Sequence, residues 1–424
     1  MTTLLIQGGR ILDPASKRDE TGDLFVADGR ISRARPKGKP DRTIDAKGRW
    51  VVPGLIDMHV HLREPGREDK ETIASGCAAA AAGGFTSVAS MANAGQTIDT
   101  ATAVVYVKAR AAETGLANVF PMGAVTKGLG GRELAELGTM AEAGAVAFSD
   151  DGQPIMDSEI MRRALEYAAR WDRTIVSHCE DATLTRDSVM HEGRVSVELG
   201  LRGWPSAAEA SMAARDGMLA RMTGGRVHIA HVSARETVEV VRLMKSMGVR
   251  LTAEAAPHHL ACTDESLRTY DSRFKMNPPL RAREDVDAIV AALADGTIDV
   301  IASDHAPHTT DEKERELAAC PNGVVGLETT LGVVLTDLVA AGRVPLMRAL
   351  EAMTAAPARI LGIDRGTLAA GATADVTIID PKLRWTVEPS DFHTRGRATP
   401  FAGRELVGAS TATIVGGRVV FERA

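Results

Sequence analysis

The middle of the chain alternates apolar stretches with alanine-rich segments of helical periodicity, and this alternation limits the fold more than any other feature. Seven helix-like segments each precede an apolar stretch, as "TIASGCAAAAAGG" precedes "FTSVASMAN" and "EDVDAIVAALADG" precedes "IDVIASDHAPH". With "WVVPGLIDMHVH" placed first, the pattern gives eight strands separated by helices. Strands that alternate with helices form parallel sheets, and eight such units close into a barrel. The predicted fold class is α/β, with a (β/α)8 TIM-type barrel.

The two ends of the chain differ from the middle, because they read as short strands broken by turns. "TLLIQGGRIL" near the start and "TATIVGGRVVFERA" at the end both show strand patterns with Gly-Gly at a turn. Chain termini lie close together in many domains. We therefore predict a small β-sandwich domain formed by residues 1–52 and 366–424, around a barrel of residues 53–365.

Composition and charge exclude several classes of protein. Hydrophobic residues make up 44% and charged residues 25% of the chain, which is ordinary for a globular protein. The 50 basic and 56 acidic residues give a net charge of −6 without a long basic cluster, so no nucleic-acid partner is expected. There is no signal peptide pattern and no long apolar run, so we expect a cytoplasmic protein without a membrane partner. The four cysteines are scattered without C-x-x-C spacing and are expected to be reduced packing residues.

A pair of histidines ends the first predicted barrel strand. His59 and His61 follow an apolar run, and residues i and i+2 of a strand share a face, so the two imidazoles would project side by side about 7 Å apart. That is a suitable geometry for holding a metal ion. A chance pair of half-buried histidines explains an isolated H-x-H more often, so the other strand ends decide between the two interpretations.

The other predicted strand ends carry more polar side chains, namely Asn93, Asp150, Asp151, His178, His231, His258, His259, Asp304 and His308. Eight of the eleven histidines lie at or near these ends, which meet at one mouth of a parallel barrel. Imidazoles bind Zn²⁺, and a carboxylate can bridge two ions. The six side chains that could hold two metals sharing a water are His59, His61, Asp151, His178, His231 and Asp304. Two such metals would lower the pKa of the water from about 16 to near 7. For any single histidine, a satisfied core residue remains the alternative.

Several motifs together resemble one family. "DMHVHLREPG", "SDDGQPI", "SHCED", "IAHVS", "PHHL", "KMNPPLR" and "ASDHAPH" are similar to motifs of the amidohydrolase superfamily, and specifically of the type I dihydroorotases. The resemblance runs over essentially the whole chain, including the split β-domain. The H-x-H pair alone would indicate only the superfamily.

The resemblance implies two Zn²⁺ ions per chain. One would be held by His59, His61 and Asp304, and the other by His178 and His231, with a bridging ligand between them. Many relatives use a carboxylated lysine as the bridge, but the fourth strand ends "AVAFSDDG" without a lysine. Asp151 is therefore the predicted bridge, whereas its neighbour Asp150 is better explained as a turn or supporting residue. Allantoinases and hydantoinases normally carry the lysine, so its absence argues against both.

The resemblance also implies a set of substrate-binding residues. They are His61, Arg63, Asn93, Asn277, His308, Asn322 and Gly323. Arg63 would pair with the α-carboxylate of dihydroorotate through two parallel hydrogen bonds, and a solvated loop arginine is the alternative. Asn277 would meet the polar edge of the ring, and the backbone near Asn322 and Gly323 would touch the substrate. His258 and His259 resemble positions that shape a strand end, and neither is assigned a ligand role.

The segment 308–330 is long and charged and directly follows the last ligand strand. Long loops at the mouth of a barrel often act as lids that exclude water. A lid and a plain solvated connection both fit this sequence.

The predicted function is that of a zinc-dependent cyclic amidohydrolase. It would be a dihydroorotase, which reversibly hydrolyses (S)-dihydroorotate to N-carbamoyl-L-aspartate in de novo pyrimidine biosynthesis. A metal-bridging hydroxide would attack the ring amide carbonyl, and Asp304 would carry the proton to the leaving nitrogen. The alternatives are an allantoinase or hydantoinase, and an inactive dihydroorotase-like subunit that scaffolds aspartate transcarbamoylase. Inactive copies lose metal ligands, and all six are present here. Besides the substrate, a homodimer and aspartate transcarbamoylase are the partner hypotheses.

Overall fold

The computed structural model describes residues 3–34 and 38–423. Residues 1, 2, 35–37 and 424 of the predicted terminal domain lie outside the described residues. The strands are β1 (Thr3–Asp13), β2 (Arg18–Ala27), β3 (Arg30–Ser32), β4 (Arg42–Asp45), β5 (Trp50–Pro53), β6 (Leu55–Val60), β7 (Phe85–Ser90), β8 (Asn118–Pro121), β9 (Ala147–Phe148), β10 (Thr174–Ser177), β11 (Met190–His191), β12 (Gly203–Trp204), β13 (Arg226–Ile229), β14 (Leu251–Ala255), β15 (Val300–Ile301), β16 (Val376–Thr386), β17 (Glu405–Val415) and β18 (Arg418–Glu422).

The α-helices are α1 (Ile73–Gly83), α2 (Ala101–Thr114), α3 (Leu137–Ala143), α4 (Ser158–Ala168), α5 (Ala182–Thr185), α6 (Arg194–Leu199), α7 (Ala207–Thr223), α8 (Arg235–Ser246), α9 (Pro257–Ala261), α10 (Arg283–Asp295), α11 (Thr310–Lys313), α12 (Thr330–Val333), α13 (Leu346–Ala352) and α14 (Ala355–Leu361). The shorter 3₁₀ segments are Lys127–Leu129, Ala169–Trp171, Asp264–Thr269, Ser272–Phe274 and Pro389–Asp391, and a π-helix covers Val334–Val339. No helix within residues 3–34 and 38–423 has both the length and the apolar character needed to cross a membrane.

Strands from both ends of the chain build one sheet. Its order is β18-β17-β16-β5-β1-β2-β3, with β4 also paired to β1. Strand β5 joins the two halves, because it pairs antiparallel with β16 and parallel with β1. The core of this sheet combines Leu4 and Ile6 from the start of the chain with Val376 and Ile414 from its end. The sandwich form and the boundaries at 52/53 and 365/366 stay predictions.

The middle of the chain contributes parallel strands. One sheet has the order β6-β7-β8, and another has the order β9-β10-β13-β14-β15. Parallel bridges between Gly123 and Phe148, and between Val60 and His305, link the two sheets at both edges. All of these strands run in the same direction, so their carboxyl ends lie on one side.

The first helix between these strands, α1, starts and stops where the sequence provides caps. In α1, the hydroxyl of Thr72 accepts a hydrogen bond from the backbone N–H of Ser75, which satisfies a free donor of the first turn. Gly84 ends the helix with φ +89°, a left-handed conformation that glycine adopts without steric cost. The four alanines 79–82 of this helix are buried, so its second half packs closely against its neighbours.

The structure corrects the first predicted strand. "WVVPGLIDMHVH" reads as one strand, but Trp50–Pro53 belongs to the terminal sheet and Leu55–Val60 belongs to the parallel one. The break is at Gly54, where a Cβ atom would lie 2.1 Å from Oγ1 of Thr86. Both halves are buried, so the apolar run conceals the change of sheet. At the other end, the single strand β16 contains most of the predicted strand "ADVTIIDP" and the first two residues of the separately predicted "WTVEP".

Candidate active site

The six predicted metal ligands come together at the carboxyl ends of the parallel strands. His59 lies in β6, and the others follow strand ends, namely His61 after β6, Asp151 after β9, His178 after β10, His231 after β13 and Asp304 after β15. Ligand atoms of His59, His61 and Asp151 lie within 4.8 Å of one another, as do those of Asp151, His178 and His231. Asp304 Oδ1 is 3.3 Å from His61 Nε2 and 3.5 Å from His59 Nε2. We call these six buried side chains the floor of the site.

Three of the floor histidines are oriented by oxygen atoms behind them. The pairs are His59 Nδ1 with Glu254 Oε1 at 2.5 Å, His61 Nδ1 with Asn93 Oδ1 at 2.6 Å, and His178 Nε2 with Glu180 Oε2 at 2.9 Å. In the neutral imidazoles, each oxygen accepts an N–H from the outer ring nitrogen, which leaves the lone pair of the inner nitrogen directed at the cluster. This is the tautomer that a metal ligand requires.

Carboxylates dominate the electrostatics of the floor. Burial opposes protonation of His59, but Asp151 and Glu254 outweigh it and raise its pKa well above the usual value. Burial also opposes protonation of His178, but hydrogen bonds to Asp151 and Glu180 raise its pKa to about 10. Burial disfavours ionisation of Asp151, yet the surrounding histidines hold its pKa well below the usual range. The floor therefore favours positive charge.

The donor atoms of the floor fit a metal site. The buried Nε2 of His59 has no hydrogen-bond partner within the described part of the chain, although it lies 3.5 Å from carboxylate oxygens of both Asp151 and Asp304. Nδ1 of His178 and Nε2 of His231 face each other at 2.9 Å. Buried polar atoms normally have partners, and converging imidazoles and carboxylates bind divalent transition metals. A cation at the centre would satisfy these atoms together.

A cavity of about 210 Å³ is lined by part of the floor and by the predicted substrate residues. Its lining includes all seven predicted substrate-binding residues, which are His61, Arg63, Asn93, Asn277, His308, Asn322 and Gly323. Asp151, His178 and Asp304 also line it, together with Gly152 and Ala306, whereas His59 and His231 do not. The metal-binding geometry and the predicted substrate contacts therefore share one cavity.

Arg63 places a partly buried positive charge beside this cavity. Its Nε donates to the carbonyl oxygen of Pro307 at 3.2 Å, and burial lowers its pKa to about 10, so the guanidinium remains charged at neutral pH. Asp304 and Asp151 oppose that lowering. A partly buried guanidinium beside a cavity is suited to pair with a carboxylate of a ligand.

His308 lies beside Arg63 and is held neutral. Its Nδ1 accepts from Nζ of Lys70 at 3.0 Å, so its Nε2 carries the proton and donates to the carbonyl oxygen of Asn322 at 2.7 Å. Burial and the charges of Arg63 and Lys70 lower its pKa to about 3. Glu312 accepts from Lys70 at 2.9 Å. Arg63, Lys70, His308 and the backbone at Asn322 and Gly323 form what we call the wall of the site.

The two asparagines of the cavity have different surroundings. Asn93 accepts from His61 and donates from Nδ2 to the carbonyl oxygen of Asp151 at 3.0 Å, so it supports the floor. Asn277 donates to Glu180 at 3.0 Å, and its buried Oδ1 has no partner among the residues described. That oxygen can accept a hydrogen bond from a ligand.

Asp150 and Asp151 also differ. Asp150 accepts hydrogen bonds from the backbone N–H groups of Val125 and Thr126 and from the hydroxyl of Thr126, so it fastens the turn. Asp151 Oδ1 lies 3.2 Å from His231 Nε2 and 3.5 Å from His178 Nδ1. The geometry thus directs the second aspartate of the pair to the cluster.

Three residues of the site have left-handed backbone conformations, namely Arg63 at φ +59°, His231 at φ +32° and Asp304 at φ +48°. Such values are uncommon for residues other than glycine and persist only where the surroundings impose them. Side chains displayed on such turns at strand ends are positioned with little freedom.

Sequence reasoning missed Glu254, Glu180 and Lys70. Glu254 is an acidic residue within the apolar strand "LTAEA", and that contrast was a usable signal. Glu180 and Lys70 lie in polar segments where nothing in the sequence distinguishes them from solvated residues.

Comparisons with known proteins point to one family. A family model described as Dihydro-orotase-like matches residues 48–237. A dihydroorotase from Pelotomaculum thermopropionicum is 54% identical over 421 residues, which cover 99% of this chain and 98% of that protein. A dihydroorotase from Anaeromyxobacter dehalogenans is 50% identical over 426 residues, with coverage of 99% and 98%. The resemblance found in the sequence motifs is confirmed.

Solved structures share the fold. An L-hydantoinase (dihydropyrimidinase) from Arthrobacter aurescens superposes with a TM-score of 0.90 at 26% identity, covering 100% of this chain and 97% of that one. A D-hydantoinase (dihydropyrimidinase) from Thermus sp. has a TM-score of 0.83 at 26% identity, covering 98% and 94%. The fold is thus common to enzymes whose names indicate different cyclic substrates, whereas the sequence relatives near 50% identity carry a single name.

Proposed function

Because the chain belongs to the dihydroorotase family, we propose that it catalyses the reversible hydrolysis of (S)-dihydroorotate to N-carbamoyl-L-aspartate, a step of de novo pyrimidine biosynthesis. The observation that carries this proposal is the single cavity in which the carboxylate-rich floor meets the cationic wall. A substrate with a carboxylate at one end and a cyclic amide at the other fits these two surfaces in one orientation.

We infer that the floor holds two Zn²⁺ ions. His59, His61 and Asp304 would hold one, His178 and His231 the other, and Asp151 would lie between them, since it belongs to both groups of ligand atoms. Imidazole and carboxylate ligands suit zinc. Bound there, the metals would supply Lewis acidity and lower the pKa of water from about 16 to near 7.

Asp304 is the proposed general acid and base. Its carboxylate is buried at the edge of the cavity, and burial disfavours its ionisation, but His59 and His61 hold its pKa below the usual range. It is therefore ionised at neutral pH, and in the proposed mechanism it would accept a proton from the attacking water as the new C–O bond forms. It returns that proton to the ring nitrogen as the C–N bond breaks, and ring closure reverses both transfers.

The wall would bind the rest of the substrate. Arg63 would pair with the α-carboxylate, and the free Oδ1 of Asn277 would accept an N–H from the ring. Both ring nitrogens of His308 are engaged, by Lys70 and by Asn322. His308 would therefore contribute to substrate binding through the shape of the wall and its electrostatic potential. Asn93 would act mainly by holding His61.

At the level of the whole chain, we infer that the linked parallel strands form a (β/α)8 barrel. The bridges at both edges of the two parallel sheets support this inference. A β-sandwich built from both termini, divided at 52/53 and 365/366, remains part of the proposal. A cytoplasmic location, a homodimer and an association with aspartate transcarbamoylase complete it.

The test is a side-by-side assay of the purified protein on dihydroorotate, allantoin and a hydantoin, with zinc measured in every sample. We expect turnover of dihydroorotate in both directions and little turnover of the other two. The matched control is Asp304→Asn, which should suppress both directions because an amide cannot carry the proton. Preference for a hydantoin would replace the proposed substrate, and a metal-loaded protein inactive on all three would indicate a scaffolding subunit.

A further inference from the structure

Two buried lysines lie directly behind the wall of the site. Lys275 is 6% and Lys313 is 5% exposed, and within the described part of the chain neither forms an ion pair. Burial of a charged group is costly unless every donor is satisfied. Lysines of this kind, beside a substrate cavity, therefore need a structural explanation.

Lys275 donates only to backbone carbonyl oxygens. Its Nζ lies 2.6 Å from the carbonyl oxygen of Leu317, 3.1 Å from that of Ala318 and 2.7 Å from that of Cys320. Three acceptors match the three N–H donors of an ammonium group. Lys275 thus folds residues 317–320 around its own side chain, and it lies two residues before Asn277 of the cavity.

Lys313 does the same for the next part of the segment. Its Nζ lies 3.0 Å from the carbonyl oxygens of both Pro321 and Gly323, and 3.3 Å from that of Lys275. The two lysines are therefore coupled, since the backbone of one accepts from the side chain of the other. Gly323 also donates its N–H to the carbonyl oxygen of Lys275 at 3.1 Å.

These contacts engage three successive carbonyl groups at the wall. The carbonyl oxygens of Pro321 and Gly323 accept from Lys313, and that of Asn322 accepts from His308. A carbonyl oxygen directed at a carboxylate would repel it, so this arrangement keeps acceptors away from an anionic substrate. Gly323 also packs too tightly for a side chain, because a Cβ atom would lie 2.9 Å from the Cβ atom and carbonyl oxygen of Ala306.

We propose that Lys275 and Lys313 are positioning residues that hold the segment 309–323 as a fixed wall of the site, rather than as a lid that opens in each turnover. The lysines fix the position of the backbone at Asn322 and Gly323 relative to Asn277. This assignment rests on the proposed function only for the identity of the substrate. The state of the segment itself is measurable without turnover.

The first test is amide hydrogen exchange on the full-length, metal-loaded wild-type protein. Peptides that cover residues 316–325 should exchange slowly, and equally slowly with and without saturating dihydroorotate. Fast exchange that slows when dihydroorotate binds would show a mobile lid and would overturn the proposal. If the wild-type protein does not turn over dihydroorotate, the proposed function fails, whatever the exchange shows.

The second test uses Lys313→Met and Lys275→Met, with Arg315→Met as the matched control. Arg315 is an exposed cation on the same segment. Both lysine variants should exchange faster over residues 316–325 and raise KM at least about tenfold, equivalent to about 1.4 kcal/mol, while kcat falls less and zinc content is unchanged. The Arg315→Met variant should match the wild type. Unchanged KM and exchange in both lysine variants would refute the positioning role.

Chemical rescue separates the ammonium group from the bulk of the side chain. In Lys313→Ala, added n-propylammonium should lower KM towards the wild-type value, because it replaces the atoms that the substitution removes. The same concentration of n-propanol should not. Equal rescue by both would mean that Lys313 only fills space. If the substitutions prevent folding, the wild-type exchange measurement still decides the proposal.

Discussion

The floor and the wall contain the same type of side chain in opposite electrostatic states. In the floor, burial opposes protonation of His178, but the carboxylates around it raise its pKa to about 10. In the wall, burial and the neighbouring Arg63 and Lys70 lower the pKa of His308 to about 3. Both imidazoles are buried, so burial alone cannot explain the difference. The signs of the nearby charges decide it.

This difference shows how one small cavity distinguishes the two ends of a ligand. Acidic residues beneath it attract cations, and Arg63 attracts anions, although Asp304 and Arg63 line the same cavity. If the floor holds the proposed Zn²⁺ ions, the carboxylate end of the substrate would pair with Arg63 and the cyclic amide would face the metals. The charge pattern therefore selects orientation as well as affinity.

The largest expected effect comes from Asp151→Asn, which removes the carboxylate shared by both ligand groups. The side chain keeps its size, but the floor loses a charge and one of the two oxygens proposed to bridge the metals. We expect bound zinc to fall and kcat/KM to drop by about 10³-fold or more, or at least about 4 kcal/mol. Zinc content and activity on dihydroorotate measure this effect.

Asp150→Asn is the matched control for that change. Asp150 fastens the turn through Val125 and Thr126, so its substitution should lower stability and leave zinc content unchanged. Equal loss of zinc in the two variants would mean that the aspartates are not divided between turn and floor.

The next largest effect is expected from Arg63→Met, which removes the guanidinium of the wall and keeps most of the length of the side chain. We expect kcat/KM for dihydroorotate to weaken by about 2–4 kcal/mol, the scale for a charged partner lost at a desolvated site, while zinc content stays at the wild-type level. Steady-state kinetics with metal analysis test this. A variant with unchanged kcat/KM would remove Arg63 from the substrate site.

The residues of the floor could be predicted from the sequence because they lie at or next to the ends of the parallel strands. His59, His178, His231 and Asp304 are recognisable since functional residues of alternating strand and helix units lie at strand ends. The alternation itself located the parallel strands, apart from the division at Gly54. That division depends on the close packing of Gly54 against Thr86, a contact between residues that are distant in the sequence.

The side chains that support the site from behind could not be predicted from the sequence. Lys275 and Lys313 occur in polar segments, where a lysine is normally solvated, and only the folded backbone brings carbonyl groups around them. Likewise, Lys70 meets His308 across 238 positions of the chain. Such contacts depend on loop conformation, for which a single sequence has no periodic signal.

A smaller effect is expected from Glu254→Gln, which tests how the floor orients its ligands. Burial opposes ionisation of Glu254, but His59 and His228 lower its pKa to about 2, so it accepts from His59 as a carboxylate. The amide should weaken zinc affinity by about 10–100-fold, the usual effect of removing a group behind a metal ligand. Zinc titration against a competing chelator measures this.

Glu180→Gln is the comparison for Glu254→Gln, because Glu180 contacts both His178 and Asn277. Glu180→Gln should weaken zinc affinity and also raise KM at saturating zinc. The KM of Glu254→Gln should equal that of the wild type once the metal site is saturated. Identical behaviour of the two variants would contradict the link between floor and substrate through Glu180.

The smallest effect concerns stability against pH and tests the contrast between the two histidines directly. The pKa of His308 is about 3 in the folded protein and 6.5 as an ordinary histidine, so between these values the unfolded chain binds a proton that the folded chain does not. Acidification from pH 8 to pH 5 should therefore lower the free energy of unfolding of the wild type by about 1–2 kcal/mol more than that of His308→Gln, whose glutamine does not titrate.

For His178 the sign is opposite in the metal-free protein. Its folded pKa of about 10 lies above the ordinary 6.5, so its protonation stabilises the fold fully below pH 6.5, and that stabilisation is lost as the pH rises through about 10. Urea unfolding of wild type, His308→Gln and His178→Gln in the presence of a chelator, at pH 5, 8 and 10, separates the two histidines. Relative to wild type, the free energy of unfolding of His308→Gln should be higher at pH 5 than at pH 8. The His178→Gln variant should be most destabilised at low pH. Parallel pH dependences of the two variants would mean that the charges of floor and wall do not act on these imidazoles in opposite directions.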